Sequence, residues 1–121
     1  MEQKKTLVLG ASQNPERYSY LAVQQLVKHQ HPVIAVGIKK GLINSIEIET
    51  VKKQYTDIDT VTLYLNPANQ KDNYDYILSL HPKRIIFNPG AENDELENLA
   101  KQKGIKTMEA CTLVLLSTGQ Y

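Results

Sequence analysis

Short apolar segments that end in glycine alternate with segments of helical periodicity in the first third of this chain. The strand-like segments are Thr6–Gly10 and Val33–Gly37, and between them apolar residues recur at three- and four-residue steps around 18–29, before Pro32. Two fully apolar strands joined through one helix within about 30 residues are typical of a parallel βαβ unit. The pattern therefore predicts a parallel sheet that is buried on both faces.

The rest of the chain repeats this alternation less regularly. Thr60–Leu65 is rich in β-branched residues, and Asn66 followed by Pro67 is typical of a helix N-cap and first turn, which predicts a helix to about Leu80. These elements predict one α/β domain over 1–121: a Rossmann-like open parallel sheet of about five strands with helices on both faces. The further predicted elements are an edge strand at 46–49, a strand at 84–87, a helix at 93–103, a weak strand at 105–108 and an apolar tail at 113–116.

Composition narrows the possible functions. Of the 121 residues, 41% are hydrophobic and 22% charged, and 14 Lys and Arg against 13 Asp and Glu leave a formal net charge of +1. This near-balance of charge argues against a broad basic surface that binds nucleic acid or membranes. The chain has one cysteine, no 18-residue apolar run, and a His29-x-His31 pair without further ligands nearby. We therefore expect a cytoplasmic protein without a disulfide or a metal site.

The first strand end carries the most specific chemistry. In open α/β sheets ligands bind beyond the carboxyl ends of the strands, and here Gly10-Ala11-Ser12 leads to a helix that begins near Arg17-Tyr18-Ser19. A helix N-terminus presents unpaired N–H groups, and the Arg17 guanidinium suits phosphate oxygens. The loop has neither a G-x-G-x-x-G pattern nor a Walker motif. The residues favour a phosphate-bearing ligand over a standard dinucleotide or nucleoside triphosphate.

The second strand end has two lysines where an NAD-binding fold usually has an acid for the ribose 2′-hydroxyl. Lys39 and Lys40 follow Gly37, and their charge favours a ligand with an extra ribose phosphate, at the 3′ position in coenzyme A or the 2′ position in NADP. A solvated lysine pair is the alternative. The other strand ends, Asn66-Pro67 and Asn88-Pro89-Gly90, consist of small or turn-forming residues that let a ligand approach the backbone.

Six segments together carry a family resemblance: Leu7–Ser12, Pro15-x-Arg17-Tyr18-Ser19-Tyr20, Val33–Lys39, Leu63–Pro67, Asn88–Glu92 and Glu109-Ala110-Cys111. With them, nearly the whole chain resembles the small stand-alone CoA-binding domain proteins, which are similar to the nucleotide-binding domain of succinyl-CoA synthetase α subunits. Ile38 departs from the family pattern, which often has proline before the lysine. The resemblance implies that the first loop contacts the phosphates, Lys39 the phosphate-rich end and Asn66-Pro67 the adenine side.

These observations lead to one main hypothesis and two rivals. The first is non-catalytic binding of coenzyme A or an acyl-CoA through its phosphates, because no nucleophile–base pair is evident. The second is an NADP-dependent reductase or acyl-transfer enzyme that uses Cys111 or Glu109. The third is an interaction protein, a homodimer whose tail at 113–116 packs on a second subunit. The predicted cofactor-binding residues are Gly10, Ala11, Ser12, Arg17, Tyr18, Ser19, Gly37, Lys39, Lys40, Asn66, Pro67, Asn88, Pro89 and Gly90.

Overall fold

The computed structural model describes residues 2–121, whose strands and helices confirm the predicted α/β class. The strands are β1 (Thr6–Leu9), β2 (Val33–Val36), β3 (Gly41–Ile43), β4 (Ile46–Glu49), β5 (Thr60–Leu63), β6 (Arg84–Phe87) and β7 (Lys106–Glu109). The helices are α1 (Tyr18–Lys28), α2 (Pro67–Gln70), α3 (Tyr74–Ser79), α4 (Asp94–Gln102) and α5 (Thr112–Ser117), and a 3₁₀ turn (Lys71–Asn73) links α2 to α3.

All seven strands belong to one sheet, in the order β3-β4-β2-β1-β5-β6-β7. Neighbouring strands are parallel, except for the antiparallel pair β3 and β4. From β1 the chain first adds strands on one side, through β2 and β4, and then returns to add β5, β6 and β7 on the other side. The strand order therefore reverses between β1 and β5, and such a reversal opens a crevice at the carboxyl edge of the sheet.

The two faces of the sheet bury alternate residues of each strand. Leu7 and Leu9 of β1 pack in the core formed with α3 and α4, whereas Val8 packs in the core formed with α1 and α5. This follows from the two-residue period of side chains along a strand. Leu116 of α5, which is 4% exposed, packs with residues of α1 such as Leu26. Part of the apolar tail is thus buried within this chain.

The sheet has seven strands rather than the predicted five. The two marginal segments, 46–49 and 105–108, both supply strands, and β3 is a further strand in a segment where Gly41 and Asn44 are residue types typical of turns. Gly41 instead begins β3, and Asn44, with φ of 55°, occupies the tight turn between β3 and β4. Positive φ at such a position is typical of two-residue hairpin turns.

The helices also differ from the prediction at two places. The helix expected from Pro67 to about Leu80 is interrupted by the 3₁₀ turn, where the Asn73 side chain donates to the Asn69 carbonyl at 3.0 Å. Such local side-chain bonds compete with a regular helix. The segment at 113–116, expected as a tail, belongs to α5. No helix within residues 2–121 has the length and hydropathy needed to cross a membrane.

Candidate functional site

Four strand ends lie level with one another at the carboxyl edge of the sheet. Leu9, the last residue of β1, is in register with the last residues of β2 and β5, and β6 ends level with β5. The residues that follow these strands therefore lie side by side, on both sides of the crevice between β1 and β5. They are Gly10, Gly37, Tyr64 and Asn88.

The first loop turns sharply at Gly10 and lies against the segment that follows β5. Gly10 has φ of 96°, and a Cβ atom there would lie 3.1 Å from the Tyr64 carbonyl carbon and 3.1 Å from the Leu65 Cδ2 atom. The amides of Gly10 and Ala11 both donate to the Val36 carbonyl at 2.9 Å. Any other residue at Gly10 would be strained by both conformation and space.

The second loop, residues 37–41, packs along the first. A Cβ atom on Gly37 would lie 2.3 Å from the Ala11 carbonyl oxygen, and one on Gly41 would lie 2.5 Å from the Gln13 Oε1 atom. The absence of a side chain at Gly37 therefore allows close contact between the two loops. The contact of Gln13 could not be predicted, because nothing in the sequence pattern places a glutamine side chain across a neighbouring strand end.

Three exposed cations lie in these two loops. Arg17, Lys39 and Lys40 are all exposed. The two ion pairs found within residues 2–121 lie elsewhere, at Glu49–Lys53 and Glu97–Lys101. Because no carboxylate of the described chain is paired with them, the three cations can interact with an external anion without breaking an existing ion pair.

Side-chain hydrogen bonds shape the loop that leads to α1. The Asn14 amide donates to the Ser12 hydroxyl oxygen at 3.1 Å, and the Glu16 amide donates to the Asn14 side-chain oxygen at 3.0 Å. The Arg17 amide in turn donates to the Asn14 carbonyl at 3.0 Å. Since Ser12 is an acceptor in this arrangement, its own O–H remains able to donate.

The N-terminus of α1 has no cap from the described part of the chain. Arg17 is the N-cap residue in an extended conformation, it makes no side-chain capping bond, and the first turn carries no acidic residue. Tyr18 is 69% exposed, whereas Ser19 is buried. The orphan N–H groups and positive dipole end of an eleven-residue helix therefore lie beside the cationic loops.

The third loop contains the predicted helix cap. The Asn69 amide donates to the Asn66 side-chain oxygen at 2.9 Å, and Pro67 occupies the first turn of α2. Asn66 and Pro67 are both exposed at the rim of the sheet edge. Both residues lie in the loop after β5, where the sequence predicts a helix N-cap. The capping bond explains why an asparagine occupies position 66.

Asn88 lies beneath the fourth loop, with 2% of its surface exposed. Its Nδ2 group donates to the Thr62 hydroxyl at 2.6 Å and to the Leu63 carbonyl at 2.9 Å. Its Oδ1 atom accepts from the Thr112 amide at 2.9 Å. These protein partners engage both N–H donors and the oxygen, so Asn88 supports the floor of the site. Pro89 and Gly90 are exposed above it.

Three carboxylates, those of Asp94, Glu97 and Glu109, converge at the end of β7, whereas the cysteine and the histidines of the described residues do not meet. Cys111 is the N-cap residue of α5 and follows β7 at the carboxyl edge, whereas His29, His31 and His81 lie near the opposite ends of the strands. Burial raises the pKa of the Tyr64 hydroxyl, which makes this phenol a weaker acid. The described residues therefore place no histidine beside the cysteine, and the three carboxylates lie at β7 rather than at β1 and β5.

Comparisons with known proteins agree with this geometry. The family model described as "CoA binding domain" matches residues 4–117. An uncharacterised protein known from a crystal structure is 50% identical, and the match covers 100% of this chain and 100% of that chain, with a TM-score of 0.98. A hypothetical protein from Pyrococcus horikoshii OT3 is 21% identical, with 97% of this chain and 84% of that chain covered and a TM-score of 0.85.

A Thermus thermophilus protein known as cell-free ID.343 is also 21% identical, with 98% of this chain and 91% of that chain covered and a TM-score of 0.81. At such identities the two thermophile structures show the shared fold alone. A search of curated proteins found no match. Because the family model spans nearly the whole chain, the protein belongs to the CoA-binding domain family.

Proposed function

We propose that this protein is a non-catalytic binding module that holds coenzyme A or an acyl-CoA by its phosphates at the carboxyl edge of the sheet. The observation that carries the proposal is the uncapped N-terminus of α1, which begins at Arg17 beside the loop that bears Lys39 and Lys40. A helix N-terminus together with three unpaired cations favours a ligand with several phosphate groups.

In the proposed arrangement the pyrophosphate lies over the first loop, where Gly10, Ala11 and Ser12 offer a tight turn and a hydroxyl donor, at the start of the helix that contains Tyr18 and Ser19. The lysine pair after Gly37 binds the ribose 3′-phosphate. The rim formed by Asn66 and Pro67, with Pro89 and Gly90 beyond it, receives the adenine side. The resemblance to the CoA-binding domain proteins implies this division, and the loops after β2, β1, β5 and β6 are neighbours along the edge.

The rival hypothesis of an NADP-dependent reductase or acyl-transfer enzyme requires a reactive group at the same edge. Cys111 has no histidine nearby to activate it, because the three histidines lie near the other ends of the strands. Glu109 is exposed at the end of β7, with β6 between β7 and the crevice strand β5. The geometry therefore supports binding better than catalysis.

The lysine pair gives the first test. We expect CoA at about 100 times its Kd to stabilise the folded protein by roughly 2.7 kcal/mol, which thermal melting detects readily. Dephospho-CoA should bind more weakly than CoA, because it lacks the phosphate that Lys39 and Lys40 bind. Added salt should reduce the difference between the two ligands, since the lysines are exposed. Titration calorimetry at two salt concentrations measures both effects.

The matched control is Lys83→Ala, because Lys83 is also exposed but lies just before β6, at the opposite edge of the sheet. In Lys39→Ala the preference for CoA over dephospho-CoA should shrink, whereas in Lys83→Ala it should be unchanged. Equal binding of the two ligands by the wild-type protein would contradict the lysine assignment. A larger melting shift with NADP than with CoA would favour the enzyme hypothesis.

Arg17 gives a second test at the phosphate loop. We expect Arg17→Ala to weaken CoA binding by roughly 10- to 150-fold, because a charge-assisted hydrogen bond contributes about 1.5–3 kcal/mol. Arg17→Lys should recover only part of the loss, because an ammonium group lacks the planar fork of donors. The control, Lys28→Ala, removes an exposed cation from the other end of α1 and should bind like wild type. Equal affinities for Arg17→Ala and Lys28→Ala would remove Arg17 from the site.

A further inference from the structure

Gln70 is a polar residue in the core between two loops of the site, and no sequence pattern indicates its role. Its side chain has 0% exposure although it belongs to the short helix α2. Burying an amide costs free energy unless hydrogen bonds replace its water. An apolar side chain of the same length would fill this volume without that cost. The hydrogen bonds of the side-chain amide therefore explain why position 70 is a glutamine.

The Gln70 Nε2 group bridges two strand-end loops. It donates to the Leu65 carbonyl at 2.8 Å, in the segment between β5 and α2, and to the Ala91 carbonyl at 2.7 Å, in the segment between β6 and α4. Both hydrogens of one planar amide are thus used on two carbonyls 26 residues apart in sequence. The two carbonyls would repel each other without a donor between them.

The Gln70 oxygen is held as firmly as the nitrogen. Its Oε1 atom accepts from the Asn93 Nδ2 group at 2.9 Å, and that group also donates to the Tyr74 hydroxyl at 2.8 Å. The Asn93 side-chain oxygen caps α4 by accepting from the amides of Glu95 and Leu96. This network fixes the orientation of the Gln70 amide, because reversing it would place a donor against a donor and an oxygen against the two carbonyls.

We infer that Gln70 is a positioning residue that sets the separation of the loops at 64–66 and 88–92, and with it the shape of the adenine side of the site. The inference rests on the function proposed above. Gln70 itself touches no ligand, since it is fully buried below the loops. It acts through the two carbonyls, and Asn88 supports the same floor from the other face through Thr62 and Thr112.

The test compares Gln70→Met with Thr6→Val. Methionine keeps the length of the side chain but has no N–H donor, so we expect the Kd for CoA to rise about tenfold. Thr6 is equally buried, and its hydroxyl bonds to the Lys4 carbonyl and the Tyr121 hydroxyl at the far edge of the sheet. Thr6→Val should lower the melting temperature without changing the Kd. Gln70→Glu should bind at least as weakly as Gln70→Met, because an ionised carboxyl cannot donate.

A second measurement separates the inference from the proposed function. Hydrogen exchange of the ligand-free protein should be faster in both loops, 64–66 and 88–92, in Gln70→Met than in wild type. If wild-type protein binds no CoA, the proposed function is wrong, and this exchange result alone decides the role of Gln70. Wild-type affinity in Gln70→Met, the same loss of affinity in Thr6→Val, or faster exchange in fewer than both loops would overturn the inference.

Discussion

The Gly37→Ala variant should lose about 3 kcal/mol of unfolding free energy, because the new methyl group has no space. Its Cβ atom would lie 2.3 Å from the Ala11 carbonyl oxygen, which is backbone and cannot rotate away. The Gly37 amide donates to the Glu49 carbonyl at 3.0 Å, so the strand end cannot retreat without breaking the sheet. Urea unfolding measures the loss, which corresponds to a melting temperature lower by roughly 10 °C.

The same substitution should weaken CoA binding, because Ala11 must move and the phosphate loop moves with it. Gly41→Ala is the matched control. The two atoms nearest its Cβ belong to the exposed amide group of Gln13, which can rotate away, and the Gln13 Cβ atom lies at 3.1 Å, so we expect a change below about 1 kcal/mol. A Gly37→Ala protein of wild-type stability, or an equal loss in Gly41→Ala, would show that the two loops do not pack as described.

The central strands could be predicted from sequence, whereas the margins of the sheet could not. β1, β2 and β5 are buried on both faces, so four consecutive apolar or β-branched residues mark each of them. β3 has three residues, and its Leu42 is 58% exposed. Such a segment becomes a strand because β4 pairs with it, and the residues of the segment alone do not indicate that pairing.

The relative position of the candidate loops could be predicted for a different reason. The carboxyl ends of parallel strands lie at one edge of a sheet, so the loops that follow them lie together. The direction of each side chain cannot be obtained in this way. Cofactor binding by Asn88 stays a prediction, and its amide bonds to the interior; the buried amide of Gln70 lies in a helix and leaves no periodic signal. The bond from Asn88 to Thr62 and the bond from Gln70 to Ala91 each join residues more than 20 positions apart in the sequence.

Asn88 carries the other large expected effect, on both stability and the floor of the site. In Asn88→Ala the Thr112 amide and the Leu63 carbonyl lose their bonds to the asparagine amide inside the protein. Each unsatisfied buried group costs about 1–3 kcal/mol, so we expect the unfolding free energy to fall by about 3–4 kcal/mol. Because Thr112 is the first residue of α5, amide exchange in that helix should also become faster.

The control for this variant is Asn98→Ala, which makes the same chemical change on an exposed position of α4. It should alter the unfolding free energy by less than about 0.5 kcal/mol. Asn88→Asp separates hydrogen bonding from volume: aspartate still accepts from the Thr112 amide, but its second oxygen faces the Leu63 carbonyl and cannot donate to it. Asn88→Asp should therefore be destabilised at neutral pH as well. Wild-type stability in either Asn88 variant would mean that the amide does not join β5, β6 and α5 beneath the site.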